Sequence, residues 1–130
     1  MTRGAGKVAV IGAGNVGATC AFVLAQKNIG EVVLLDIYEG FAKGKALDMS
    51  QGGQILNYDG KISGTKDYED IEGADVVVVT SGFPRKPGMT REDLVGKNAD
   101  IISQVGQGIR EHAPDSVIVM VTNPLDVMTY

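Results

Sequence analysis

Short, β-branched apolar runs alternate along this chain with longer stretches of helical period. Val8-Ala9-Val10-Ile11, Val32-Val33-Leu34-Leu35 and Val76-Val77-Val78-Val79 are each bounded by polar residues or glycine, the signature of buried strands. Strands are predicted near 7–11, 31–36, 61–65, 75–80 and 117–121. The run from Asp75 to Thr80 is apolar on both faces, which suits a central parallel strand covered on each side, and Val117-Ile118-Val119-Met120-Val121 reads the same way. Helices are predicted over 15–28, 40–56 and 91–112, with a short helical turn near 68–72. Thr90 followed three residues later by Asp93 predicts a capping box at the start of the third long helix. Gly96, Gly106 and Gly108 lie inside that helix. Each costs about 1 kcal/mol relative to alanine, so a bend or close packing is expected. His112 falls in its last turn, Pro114 ends it, and Asp126 is expected to begin a further helix.

Strands that alternate with helices build parallel sheets through βαβ units. Right-handed crossovers predict an α/β, doubly wound sheet of about five strands in the order 3-2-1-4-5, reversing direction between strands 1 and 4. Ligands bind such sheets at the reversal, beyond the C-terminal strand ends. The loops at 12–17, 36–40, 80–90 and 121–124 all fall there.

The first of these loops carries Gly12-Ala13-Gly14-Asn15-Val16-Gly17 directly between a strand and a helix. In the G-x-G-x-x-G pattern the first glycine permits a tight turn. The second lets a pyrophosphate approach the backbone, and the third lets helix and strand pack closely. The helix N-terminus adds free N–H groups and a partial positive charge. Asp36 ends the second strand about 20 residues on, where an acidic side chain accepts hydrogen bonds from a ribose. It would repel a 2′-phosphate: at about 4 Å and an effective dielectric near 20, like unit charges cost on the order of 4 kcal/mol. That favours NAD over NADP. The alternative reading is that Asp36 only opens a turn.

The chain has 130 residues, one domain's worth, and a net charge of −4, which argues against a nucleic-acid surface. No apolar stretch approaches membrane-spanning length, and residues 1–7 lead into a strand without a signal-like apolar region. A cytoplasmic protein is expected. The single cysteine, Cys20, excludes an internal disulfide and a cysteine-built metal site, and is expected to pack as a small apolar residue. The 18 glycines are scattered, with no linker, repeat or low-complexity tract.

The loop after the fourth strand, Thr80 to Arg91, carries Arg85, Lys86 and Arg91 among two prolines and two glycines. A stiff loop of this kind can act as a flap that delivers guanidinium groups, whose forks match carboxylates. From charge alone it is equally a solvated basic loop.

Together with Gly12–Gly17 and Asp36, the segments Gly82-Phe83-Pro84-Arg85-Lys86-Pro87-Gly88-Met89-Thr90-Arg91-Glu92-Asp93-Leu94 and Thr122-Asn123-Pro124-Leu125-Asp126 resemble the malate dehydrogenases. The likeness is to the bacterial and archaeal branch close to lactate dehydrogenase, and it covers the whole chain. It implies a Rossmann-type fold and NAD as cofactor, with Gly12, Ala13, Gly14, Asn15, Val16, Gly17, Asp36, Thr80, Ser81, Gly82, Asn98, Val121 and Asn123 as cofactor-binding positions. It implies that Arg85 binds the distal carboxylate of malate or oxaloacetate, where lactate dehydrogenases place glutamine. Arg91 would polarise the reacting carbonyl, Asn123 would hydrogen-bond the substrate, and the Asn123–Pro124 bond would be cis.

The resemblance also implies longer chains, in which the catalytic histidine, its paired aspartate, a carboxylate-clamping arginine and a sixth strand follow. Residues 1–130 are therefore expected to form the NAD-binding domain, without the catalytic domain. They would bind NAD without efficient turnover, belong to a homo-oligomer and lack a metal. His112, at a helix C-terminus on the far side of the sheet, is not expected to replace the missing base. The alternatives are a stand-alone dinucleotide-binding module, or a self-associating structural module with no catalysis. The 82–91 loop is expected to be mobile.

Overall fold

The computed structural model describes residues 6–130; the reading of residues 1–5 as free of a signal segment lies outside them. Five parallel strands are observed: β1 (Gly6–Ile11), β2 (Gly30–Leu35), β3 (Ile62–Thr65), β4 (Val76–Val79) and β5 (Val117–Met120). The sheet order is β3-β2-β1-β4-β5, as the alternating pattern predicts. The helices are α1 (Asn15–Gln26), α2 (Glu39–Leu56), α3 (Arg91–His112) and α4 (Leu125–Thr129), with a 3₁₀ turn at Tyr68–Ile71. Element ends lie within two residues of the expected ones, and α4 begins one residue before Asp126.

Period-two alternation sorts the strand residues into two half-cores. Ala9, Ile11, Val33, Leu35, Val77 and Val79 face one side, against Val105 and Ile109 of α3 and Ile71 of the 3₁₀ turn. Val10, Val32, Leu34 and Val78 face the other, against Ala21 of α1 and Ala42 of α2. Register makes these layers continuous: Ile11 sits opposite both Leu35 and Val79, and Val79 opposite Met120. Cys20 packs at the edge of the second half-core, and burial pushes its thiol pKa above the ordinary value.

Among the expectations for helices the capping box is met in full, and close packing at the interior glycines is met at Gly108 alone, since a Cβ at Gly96 or Gly106 would meet nothing within 4 Å. Thr90 Oγ1 accepts from Asp93 N, and Thr90 N donates to Asp93 Oδ2, each at 3.1 Å. Gly108 packs directly under the Tyr68 ring, where a Cβ would overlap it.

One expectation fails. The 117–121 run is not a covered central strand, for β5 is an edge strand whose Val117, Ile118 and Val119 are 64%, 49% and 44% exposed. Its composition is that of a buried strand, but among the described residues only β4 pairs with it. Hydrophobic pattern reports what a strand can bury, not which neighbours it has.

Candidate functional site

The exits of β1, β2, β4 and β5 converge at one edge of the sheet. At the β1 exit, Gly12 has φ +106°, a conformation that L side chains rarely adopt, so the chain turns sharply into α1. Gly17 sits so close beneath that turn that a methyl group would overlap the Gly12 carbonyl oxygen. Gly14 differs, since a Cβ there would meet nothing within 4 Å. It faces open space at the helix start. No side chain caps the N-terminus of α1 and its first turn holds no acidic residue. Free N–H groups and the positive end of the helix dipole thus point outward, the arrangement that receives an anion.

Asp36 takes the turn-opening role weighed for it and a second, long-range contact as well. Its Oδ1 accepts from Tyr38 N at 3.0 Å, opening the turn after β2. Its Oδ2 accepts from Ala13 N at 2.8 Å, which ties β2 to the glycine turn. Each oxygen keeps acceptor capacity for a ribose hydroxyl. Thr80 Oγ1 reaches the Ile11 and Gly12 carbonyls at 3.1 Å each, and so fastens the β4 exit to the same turn.

A cleft of about 410 Å³ opens here, lined by Gly12, Gly14, Asp36, Thr80, Ser81 and Gly82 among the residues singled out from sequence. Ala13 is buried behind it, while Asn15 and Val16 stand exposed on the first turn of α1. Arg85, Arg91, Asn123 and Val121 are exposed on the neighbouring loops and do not line the cleft. Neither arginine forms an ion pair among the described residues. Asn98 is buried, its amide engaged by Phe83 and Asn123. The Asn123–Pro124 bond is cis.

The cleft also has a wall that the sequence reading missed. Ile37, Tyr38 and Phe41 line its β2 side, and Tyr68, Ile101 and Val105 its floor. Ile37 and Tyr38 are 80% and 70% exposed. Two large apolar residues directly after the strand-ending acid were the available signal. Lys45 was missed as well. Its Nζ donates to the Ala13 carbonyl at 2.8 Å and lies 4.1 Å from the centre of the Phe41 ring. Nothing local announces that contact, which exists only once α2 folds back over the glycine turn.

A larger cleft, about 830 Å³, lies at the opposite edge beside Lys7, Asp75 and His112. His112 Nδ1 is 3.4 Å from Glu72 Oε1, and its ring stacks on Tyr68 at 6.4 Å. It stands at the C-terminal end of α3 and does not itself line the cleft at the converging loops.

Sheet order, glycine turn and acid at the β2 exit define a Rossmann-type α/β domain. Residues 6–130 match the family model described as lactate/malate dehydrogenase, NAD binding domain. The chain is 54% identical over 124 residues to malate dehydrogenase of Ehrlichia canis, covering 95% of this chain and 40% of that protein. Among solved structures it superposes on apo malate dehydrogenase of Picrophilus torridus with a TM-score of 0.90 at 47% identity, covering 95% and 40% of the two chains. On malate dehydrogenase of Archaeoglobus fulgidus in complex with NADH the TM-score is 0.89 at 46% identity, covering 95% and 42%. The chain belongs to the lactate/malate dehydrogenase family and corresponds to its N-terminal NAD-binding domain. It spans about 40% of the length of these relatives.

Proposed function

We propose that the chain binds NAD(H), in preference to NADP(H), as the cofactor half of a malate dehydrogenase that interconverts malate and oxaloacetate. The uncapped α1 N-terminus beside the Asp36 carboxylate carries this reading. Gly14 leaves room for the pyrophosphate, α1 N–H groups receive its charge, and Asp36 takes the ribose hydroxyls. Ile37, Tyr38 and Phe41 supply an apolar wall for the adenine. When bound, the cofactor supplies a nicotinamide ring that accepts or returns a hydride.

Arg85, midway along the loop beside the cleft, and Arg91, at its end, stand exposed and available to a dicarboxylate. Arg85 would grip the distal carboxylate, and Arg91 would stabilise the charge that builds on the reacting oxygen. Asn123 would hydrogen-bond the substrate at the β5 exit. The lone histidine, His112, lies at the opposite edge, so these residues alone are expected to hold the cofactor without turning malate over. Malate-dependent NADH formation above that of an Arg91→Ala control would refute that expectation.

The direct test is a fluorescence titration with NADH and with NADPH. Saturable binding that favours NADH supports the reading, while equal affinity for both removes the role given to Asp36. A second reading, self-association, rests on the exposed β5 edge. Sedimentation with and without NADH separates the two.

A further inference from the structure

Asn98 is 1% exposed, the most deeply buried polar side chain among the described residues, and its amide bridges two of the converging loops. Phe83 N donates to Oδ1 at 2.8 Å. Nδ2 donates to the Asn123 carbonyl at 2.8 Å and approaches the Phe83 carbonyl at 3.5 Å. Beside it, Thr122 Oγ1 donates to the Ser81 carbonyl at 2.6 Å. The β4 exit and the β5 exit are thereby stapled together at Ser81–Phe83 and Thr122–Asn123.

Asn98 stands on α3, the helix that Arg91 opens about two turns earlier. The arginine loop leaves β4 and is pinned to α3 at Phe83, then rejoins the same helix through the Thr90–Asp93 capping box. Both ends of the loop are therefore fixed to one rigid element. Arg85 departs two residues beyond the first anchor, and Arg91 follows the second directly. Asparagine suits the junction because a single planar group offers an acceptor to Phe83 and a donor to Asn123.

We infer that Asn98 is a positioning residue for the substrate-reading groups, setting the spacing of Arg85 and Arg91 and the placement of Asn123. This rests on the dehydrogenase reading of those three residues, but its test is made on the chain without nucleotide, so the two fail separately.

The experiment is amide exchange and carbonyl NMR on the free chain. In the unaltered protein the Phe83 amide, although in a loop, exchanges at least about 100-fold more slowly than in an unfolded chain. Exchange at an unprotected rate overturns the inference. Asn98→Ala releases Phe83 and its neighbours while β1 and β2 keep their protection; acceleration spread uniformly over the sheet makes Asn98 a fold residue only and overturns it too. Asn98→Asp keeps the acceptor for Phe83 but loses the donor. Phe83 protection then persists, while the Asn123 carbonyl resonance moves and returns on acidification, when the protonated acid regains a donor. An Asn123 resonance indifferent to this change refutes the bridge. Should Asn98→Ala fail to fold, the unaltered chain and Asn98→Asp decide the matter.

Discussion

Two glycines three residues apart make opposite predictions when each gains one methyl group. At Gly14 the added Cβ meets nothing within 4 Å, and the backbone, φ −67° and ψ −171°, is open to alanine. Alanine is a poorer N-cap than glycine, but it also reduces the entropy of the unfolded chain by about 0.4–1 kcal/mol. The two effects oppose, so Gly14→Ala should leave stability within roughly 1 kcal/mol. At Gly17 the same methyl group overlaps the Gly12 carbonyl oxygen and lies 2.6 Å from Thr80 Oγ1. Backbone cannot swing aside as a flexible side chain can, so α1 must lift away from the sheet. Overpacking of this kind costs about 1–3 kcal/mol, and the upper end applies here. For a domain of this size that lowers Tm by roughly 10 °C.

Nucleotide affinity separates the pair further. Gly14→Ala puts its methyl group where the pyrophosphate must approach and should weaken NADH binding about 10- to 100-fold, some 1.4–2.8 kcal/mol. Circular-dichroism melting and NADH fluorescence titration of both variants are sufficient. A Gly14→Ala protein that melts as early as Gly17→Ala, or that binds NADH unchanged, would refute the division of labour within the turn.

Asp36→Asn removes the charge but keeps one acceptor; NADPH affinity should rise at least about 10-fold relative to NADH, measured by parallel titrations. Thr90→Ala breaks the capping box at the start of α3 and should cost about 1 kcal/mol in denaturant unfolding. The Asp93 carboxyl, held below its ordinary pKa chiefly by the Thr90 N–H, is an acid-side reporter. Its contribution is fully present above the ordinary carboxylate value and is lost as pH falls through the lowered one. An NMR titration of Asp93 checks this, and in Thr90→Ala the retained backbone N–H should keep part of the shift. Burial raises the Cys20 thiol pKa, so alkylation at pH 8 should be much slower in the native chain than in urea. Equal rates would show Cys20 to be solvent-facing.

Local patterns carried the fold well because they are local physics. The glycine turn, the capping box and the period-two strands each depend on residues near one another in the chain. Asp36 was legible for the same reason, as an acid at a strand end. What escaped depends on tertiary placement. Lys45 acquires its partner only through the docking of α2 on the glycine turn. The hydrogen bonds of Asn98 to Phe83 and Asn123 were not legible either, since they span loops that only the sheet order brings together. The exposure of β5 does not show in its composition, which is as apolar as that of β4, although the predicted strand order already placed it last in the sheet.

The division of the strands into two half-cores sets which changes of chain length this domain tolerates. Ala9 and Ile11 belong to the α3 side and Val10 to the side of α1 and α2. One residue inserted within β1 would exchange those memberships for everything beyond it, presenting each helix with side chains shaped for the other. The same insertion between Pro84 and Gly88, where every side chain is exposed, changes no membership. Insertions and deletions should therefore accumulate in the arginine loop and be purged from the strands, leaving specificity to drift in length while the sheet is held to its count.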